Sequence, residues 1–138
     1  MKSTSPTSEG LADKLRTAGL RPTRQRVALA ELLFAGEDRH VTAETLYMEA
    51  RAKGIPMVLA TVYNTLNQFS RAGLLRQVQV TPERCYFDTN VSDHHHFFIE
   101  SDGVLVDIPA RGISVSGLPK APAGTTIERV DVVVRLQR

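Results

Sequence analysis

Apolar side chains recur every three to four residues through the first half of the chain, which is the spacing of helices with one buried face. Thr23 and Thr42 stand where the second and third of these helices would begin, because a threonine hydroxyl can accept an unpaired N–H of a first turn. Each apolar stretch is followed by a glycine, a residue that commonly ends helices. The sequence therefore predicts four helices, which end before Gly19, Gly36, Gly54 and Gly73.

After Gly73 the apolar pattern changes to the partial alternation that is typical of strands. Residues 74–80 and 85–87 flank a turn-like stretch, so they predict a two-stranded hairpin. Helices followed by such a hairpin make a winged helix, a variant of the helix-turn-helix. We therefore predict that residues 1–91 form a winged-helix domain, with a hinge at Val91 and Ser92.

The remaining residues, 92–138, read as short strands. Residues 96–100 and 104–108 are apolar and flank an Asp-Gly turn signal, whereas 109–124 are rich in proline and glycine and carry no clear prediction. The valine-rich stretch from Thr126 to Leu136 predicts a last strand. A sheet this small has open edges, so we expect it to dimerise through that strand. The predicted fold class is α+β, a winged-helix domain followed by a small α/β dimerisation domain.

The formal net charge of the 138 residues is only +2, but it is unevenly distributed. Residues 1–91 carry 12 Lys and Arg against 9 Asp and Glu, and residues 92–138 carry 5 against 6. An excess of positive charge on a helical domain fits contacts with DNA phosphates, although a solvated helix face would account for the charge as well. The candidates cluster at the start of the second predicted helix, where backbone N–H groups also favour a phosphate: Arg21, Arg24 and Arg26.

The fourth predicted helix, residues 57–72, carries hydrogen-bonding side chains opposite its apolar stripe and no acidic residue. Such side chains can reach base edges in the major groove, whereas a purely solvated helix usually carries Glu and Lys. This helix is therefore predicted to be the recognition helix. The proposed contacts with DNA are Thr61, Tyr63 and Asn64.

Three of the four histidines are consecutive, at positions 94–96. In a strand, His94 and His96 point to one face and His95 to the other, so His94 and His96 can share a metal ion. Asp107 falls on the same face of the neighbouring strand. The site could be completed from the first domain, which would give a mixed imidazole and carboxylate shell suited to Fe, Mn or Zn. The alternative is a solvated polar run without a ligand. The two completing residues are His40 and Asp88.

Several classes of protein are excluded or disfavoured by the composition. The single cysteine, Cys85, permits no disulfide within the chain and no zinc site built from two or four cysteines, and it predicts a reducing, cytoplasmic location. No apolar run is long enough to cross a bilayer, and no secretory leader opens the chain, so no membrane partner is expected. Motifs of hydrolytic enzymes are missing, and Cys85 reads as a packed side chain rather than a nucleophile. We predict that the protein is not an enzyme.

Four motifs in this order resemble the ferric uptake regulator family: LRPTRQR at 20–26, HVTAETLY at 40–47, ATVYNTLNQF at 60–69 and the histidine run. The resemblance covers about residues 11–108. Two further segments, YFDTNV at 86–91 and VDVVVRL at 130–136, are similar to the iron response regulators of rhizobia and related alphaproteobacteria.

This resemblance implies a homodimeric repressor or activator of iron and haem genes that binds double-stranded operator DNA. The family's regulatory metal site corresponds to His40, Asp88, His94, His96 and Asp107, where the two aspartates replace glutamates of the family pattern. A second family site corresponds to Asp93 and His95. The family's cysteine-rich zinc site and the Cys-Pro haem motif of some relatives are absent from this sequence.

In the iron response regulators haem is the usual signal, so the resemblance implies that haem binds at His94, His95 and His96, with a divalent metal as the other possible ligand. We predict an iron- or haem-responsive regulator whose binding to operator DNA changes when this run is occupied. The alternative is a haem- or metal-binding protein whose contact with DNA is incidental.

Overall fold

The computed structural model describes residues 7–138, which divide into two units with the boundary between Val91 and Ser92. The first unit contains four helices and a three-stranded sheet. Its elements are α1 (Ser8–Thr17), α2 (Arg24–Phe34), β1 (His40–Val41), α3 (Ala43–Ala52), α4 (Leu59–Arg71), β2 (Arg76–Thr81) and β3 (Arg84–Asp88). The second unit contains β4 (His94–Ile99), β5 (Val104–Pro109), a 3₁₀ turn (Ala110–Gly112) and β6 (Val133–Leu136). None of the helices within residues 7–138 is both long enough and apolar enough to cross a bilayer.

The predicted helix starts and stops are largely confirmed. Thr23 Oγ1 accepts a hydrogen bond from Arg26 N at 3.2 Å, and Thr42 Oγ1 accepts one from Thr45 N at 3.1 Å. Three of the four predicted glycine stops adopt the left-handed backbone that glycine tolerates best, with Gly73 at φ 82°. The exception is Gly36, because α2 already ends at Phe34 with Ala35 as its cap.

The core of the first unit lies between its helices and one face of its sheet. The apolar stripe of α4 supplies Val62, Leu66 and Phe69, each of which is fully buried. The sheet order is β1-β3-β2, with β2 and β3 forming the predicted hairpin. Strand β1 was not predicted. It consists of two residues and pairs antiparallel with β3, which places His40 opposite Asp88.

The sheet of the second unit has the order β5-β4-β6. Strands β4 and β5 form the predicted antiparallel hairpin, and Gly103 in its turn has φ 64°. Strand β6 runs parallel to β4 and pairs Val133 with His96. The mixed helix and sheet content confirms the predicted α+β fold class, with a helical unit preceding a small sheet.

The predicted strand from Thr126 to Leu136 is wrong over most of its length, because only Val133–Leu136 forms β6. Ile127, in the part outside the strand, is 53% exposed, so it does not have the burial expected of a core strand position. Strand β6 hydrogen-bonds with β4 of the same chain, and the ladder is extended at its start by His96 N, which donates to Val132 O at 3.1 Å. One edge of the strand that we expected to pair between subunits is therefore used within the subunit.

Candidate functional site

Two histidines and one aspartate converge on one face of the sheet in the second unit. His96 and Asp107 are direct partners in the register of β4 and β5, which confirms the predicted placement of Asp107. The Nε2 atoms of His94 and His96 lie 3.3 and 3.4 Å from Asp107 Oδ1. Both imidazoles are buried. The available ligand atoms of the three residues lie within 4.8 Å of one another, so they can bind a single cation.

The proton of His94 is located by its hydrogen bond to the backbone. Its Nδ1 lies 2.7 Å from Ser92 O, and because a carbonyl oxygen only accepts, Nδ1 must carry the proton. In the neutral ring Nε2 is then the nitrogen that can coordinate a metal ion, and it lies 3.3 Å from Asp107 Oδ1. The donor set of His94 and Asp107 therefore fits a divalent cation, with the backbone carbonyl fixing the tautomer.

His95 faces the other side of the sheet and has the opposite tautomer. Val132 N donates to His95 Nδ1 at 3.1 Å, so in the neutral ring Nδ1 is an acceptor and the proton resides on Nε2. While this hydrogen bond is formed, neither nitrogen of His95 offers a free lone pair to a metal. The structure thus distinguishes His95, which ties the residues before β6 to β4, from the two convergent histidines on the other face.

The first unit also contains an imidazole and carboxylate pair. His40 Nε2 is 3.1 Å from Asp88 Oδ2, and the Asp88 side chain is only 1% exposed. The other carboxylate oxygen of Asp88, Oδ1, accepts a hydrogen bond from Asn90 N at 2.9 Å. In the register of β2 and β3, Asp88 lies opposite Arg76. His40 therefore belongs to a strand rather than to the start of α3. Of the five predicted metal ligands, two belong to the first unit and three to the second.

The predicted recognition helix α4 exposes Tyr63 and Asn64, with Thr61 half-buried. Tyr63 is not unpartnered, because its hydroxyl donates a 2.9 Å hydrogen bond to Glu44 Oε2 in the first turn of α3. This hydrogen bond, followed by partial burial, raises the pKa of Tyr63 above its ordinary value. The surface around α4 therefore includes an acidic group from a neighbouring helix, which the sequence of α4 alone did not indicate.

The three predicted phosphate-binding arginines have different environments. Arg21 and Arg24 are exposed, as a phosphate contact requires. Arg26 is half-buried, and its Nε and Nη2 donate to Gln68 Oε1 at 3.3 and 3.1 Å while Nη1 donates to Arg21 O at 2.9 Å. Arg26 therefore joins the start of α2 to α4. A contact between Arg26 and DNA stays a prediction, which would have to use its remaining N–H groups.

Cys85 on β3 is half-buried and packs against the core of the first unit. Burial raises the pKa of its thiol, and the thiolate that reacts with electrophiles is disfavoured. This environment agrees with the predicted packing role.

Residues 17–132 match the model of the Ferric uptake regulator family, and the chain belongs to that family. The Ferric uptake regulation protein of Bordetella parapertussis is 34% identical over 86 residues, which are 62% of this chain and 62% of that protein. The Peroxide operon regulator of Bacillus subtilis is 35% identical over 101 residues, covering 73% of this chain and 69% of that protein. The chain thus spans about three fifths of the length of the Bordetella relative.

Solved structures share the fold at lower sequence identity. The ferric uptake regulator of Pseudomonas aeruginosa with manganese has a TM-score of 0.68 and 24% identity, over 91% of this chain and 96% of that one. The Vibrio cholerae ferric uptake regulator has a TM-score of 0.71 and 21% identity, over 92% and 98% of the two chains.

Proposed function

We propose that the protein is a metal-responsive transcriptional regulator that binds double-stranded operator DNA as a cytoplasmic homodimer. The observation that carries this proposal is the convergence of His94 and His96 Nε2 on Asp107 Oδ1, in a chain of the ferric uptake regulator family. That arrangement brings two imidazoles and one carboxylate within reach of a single cation. The exposed polar face of α4 supplies a surface that can read DNA.

The proposed metal is a divalent ion of the Mn, Fe or Zn type, because mixed nitrogen and oxygen ligands suit these borderline ions. The Pseudomonas aeruginosa relative was solved with manganese. We assign His94, His96 and Asp107 as ligands, and we carry forward the prediction that His40 and Asp88 ligate the same ion.

In this proposal the first unit binds DNA and the second dimerises. Arg21 and Arg24 contact phosphates, while Thr61, Tyr63 and Asn64 contact base edges. Val104 and Val106 on β5 are 45% and 43% exposed, which supports an apolar contact between subunits.

The resemblance to the iron response regulators adds the finer proposal that haem is a physiological signal. The histidine run is the basis of this proposal. His95 supports it least, because a haem iron would have to displace the hydrogen bond from Val132. Haem at His94 or His96 would compete with the divalent ion for the same Nε2 atoms.

The first test selects duplexes from a random library with the native protein and Mn²⁺, then measures affinity for the enriched duplex with Mn²⁺, Zn²⁺, Fe²⁺, haem or a chelator. We expect metal to change the affinity roughly 5- to 150-fold, the usual range of coupling between two sites. His94→Ala with His96→Ala should abolish this response, whereas His95→Ala, the matched control from the same run, should keep it. His40→Ala should weaken binding of the same ion if all five residues share it.

The outcomes separate the parts of the proposal. If no duplex is enriched, sequence-specific DNA binding is wrong. If chelation leaves the affinity unchanged, the metal response is wrong. A response to haem that survives replacement of all three histidines would show that the run is not the haem site.

A further inference from the structure

A hydrogen bond links the first turn of α3 to the exposed face of α4. Tyr63 Oη donates to Glu44 Oε2 at 2.9 Å. Both side chains are exposed, and Tyr63 keeps 39% of its surface accessible. Thr42 caps the start of α3, so Glu44 lies in the turn where unpaired N–H groups favour a negative charge. An ionised carboxylate can only accept a hydrogen bond.

We propose that Glu44 determines which bases Tyr63 can recognise, by occupying the only proton of its hydroxyl. This inference rests on the proposed DNA-binding function. A tyrosine hydroxyl has one hydrogen to donate and an oxygen that can accept. Once the hydrogen is committed to Glu44, the oxygen presents only its lone pairs to the outside. Tyr63 then acts as an acceptor.

This restriction selects among the four bases. In the major groove adenine and cytosine each present an amino group that donates, whereas guanine and thymine present oxygen acceptors. An acceptor at Tyr63 fits adenine or cytosine and opposes guanine or thymine. Phosphate oxygens also only accept, and the negative charge of Glu44 repels them. The pair is therefore expected to contact base edges. The exposed Arg21 and Arg24 at the start of α2 are instead expected to contact phosphates.

The direction of the hydrogen bond persists across the working pH range. The bond to Glu44 raises the pKa of Tyr63, so the phenol stays neutral and keeps its proton at neutral and mildly alkaline pH. The structural alternative is that the pair only packs α3 against α4. That alternative predicts a change in stability without a change in base preference, so the two roles have different experimental signatures.

The test compares base preferences of the native protein with those of Glu44→Ala, Glu44→Gln and Tyr63→Phe, using selection from a random duplex library in Mn²⁺. At one position of the enriched duplex, the native protein should prefer adenine or cytosine over guanine or thymine by roughly three- to tenfold, the effect of one hydrogen bond. Tyr63→Phe should lose this preference. Glu44→Ala should admit guanine or thymine there, because the freed hydroxyl can donate to them.

Two controls separate base selection from charge and from folding. Glu37→Ala removes an exposed acid elsewhere in the first unit, so it should leave the base preference unchanged. Glu44→Gln keeps an oxygen that can accept from Tyr63, and it should retain most of the native preference. The double variant Glu44→Ala with Tyr63→Phe should match Tyr63→Phe alone.

The inference is overturned if Glu44→Ala keeps the native preference, or if the position lost in Tyr63→Phe prefers guanine or thymine in the native protein. Failure of the native protein to enrich any duplex would instead overturn the proposed DNA-binding function. An enriched duplex with an unchanged profile in Glu44→Ala leaves that function standing and removes only the role of Glu44.

Discussion

The two units differ in how their interiors are filled. The first encloses a cluster of 13 buried apolar residues drawn from all four of its helices and from its sheet. In the second only three apolar residues are buried, Phe98, Leu105 and Ile108, while two of its buried positions are the histidines His94 and His96. The first unit is therefore stabilised by apolar packing. The stability of the second unit is expected to depend more on contacts that its polar groups and exposed valines make with ligands or partners.

This contrast fits the proposed regulation by a ligand that binds the second unit. A densely packed interior resists change, since any shift opens a cavity or forces strain. A three-stranded sheet with buried imidazoles has less packing to hold it and gains more from a ligand. Binding to the folded state alone stabilises a protein by about 2.7 kcal/mol when the ligand is at 100 times its dissociation constant.

The largest expected effect is the loss of packing in the first unit. Phe69→Ala should lower the free energy of unfolding by about 3–5 kcal/mol, because Phe69 is fully buried and its removal leaves a cavity. Val106→Ala in the second unit should change it by about 0.5 kcal/mol or less, because Val106 is 43% exposed. Urea unfolding followed by far-UV circular dichroism, in chelator and at low protein concentration, measures both. Equal losses of unfolding free energy in the two variants would contradict the proposed difference in packing between the units.

A smaller effect is expected from a polar link inside the first unit. Arg39 Nη1 donates to Glu49 Oε1 at 3.0 Å and to Leu32 O at 3.1 Å, and Nη2 completes a two-pronged contact with Glu49. Glu49→Ala should cost about 1–2 kcal/mol of unfolding free energy, since it leaves a half-buried guanidinium with fewer acceptors. Glu37→Ala serves as the exposed acidic control. A loss no larger than that of the control would mean that the link contributes nothing.

The smallest effect concerns the corresponding ion pair of the second unit. Arg138 Nη2 lies 2.6 Å from Asp102 Oδ2, and this contact lowers the pKa of Asp102 below its ordinary value. A carboxyl group with a lowered folded-state pKa adds stability above its unfolded-state pKa and loses it as the pH falls through the folded-state value. Arg138→Gln should return the Asp102 pKa towards that of a free side chain, measured by NMR titration.

Salt provides the control for this exposed pair. About 1 M NaCl should abolish the difference between the native protein and Arg138→Gln, because both side chains are accessible to solvent and salt screens their attraction. A pKa that stays low in the variant would assign the shift to the neighbouring Ser101 hydroxyl instead.

Local patterns in the sequence were sufficient to predict most elements of the first unit and the residues on one face of the sheet in the second. The caps at Thr23 and Thr42 and the stripe of α4 depend on residues a few positions apart, so the helical period reveals them. Asp107 was placed beside His96 because a two-residue register error leaves it on the same face. These inferences required no knowledge of the tertiary structure.

The remaining features depend on residues far apart in the chain. Strand β1 is two residues long and has no periodicity to detect. The tautomer of His95 is set by Val132, which is 37 residues away. The bond between Glu44 and Tyr63 arises from the packing of α3 against α4. The valine-rich stretch before β6 resembles a strand in sequence, although the strand itself begins only at Val133. Sequence patterns carry no information on such partners.

The parallel pairing of β4 with β6 has a consequence for biosynthesis. His95 and Val132 are 37 residues apart, so at translation rates of 5–20 residues per second β4 is made about 2–7 s before its last neighbour. During that interval the nascent chain carries the apolar Phe97, Phe98 and Ile99 on a strand with one unpaired edge. The first unit has by then been synthesised in full. Until β6 is made, one edge of β4 therefore stays open to pairing with a strand of another nascent polypeptide.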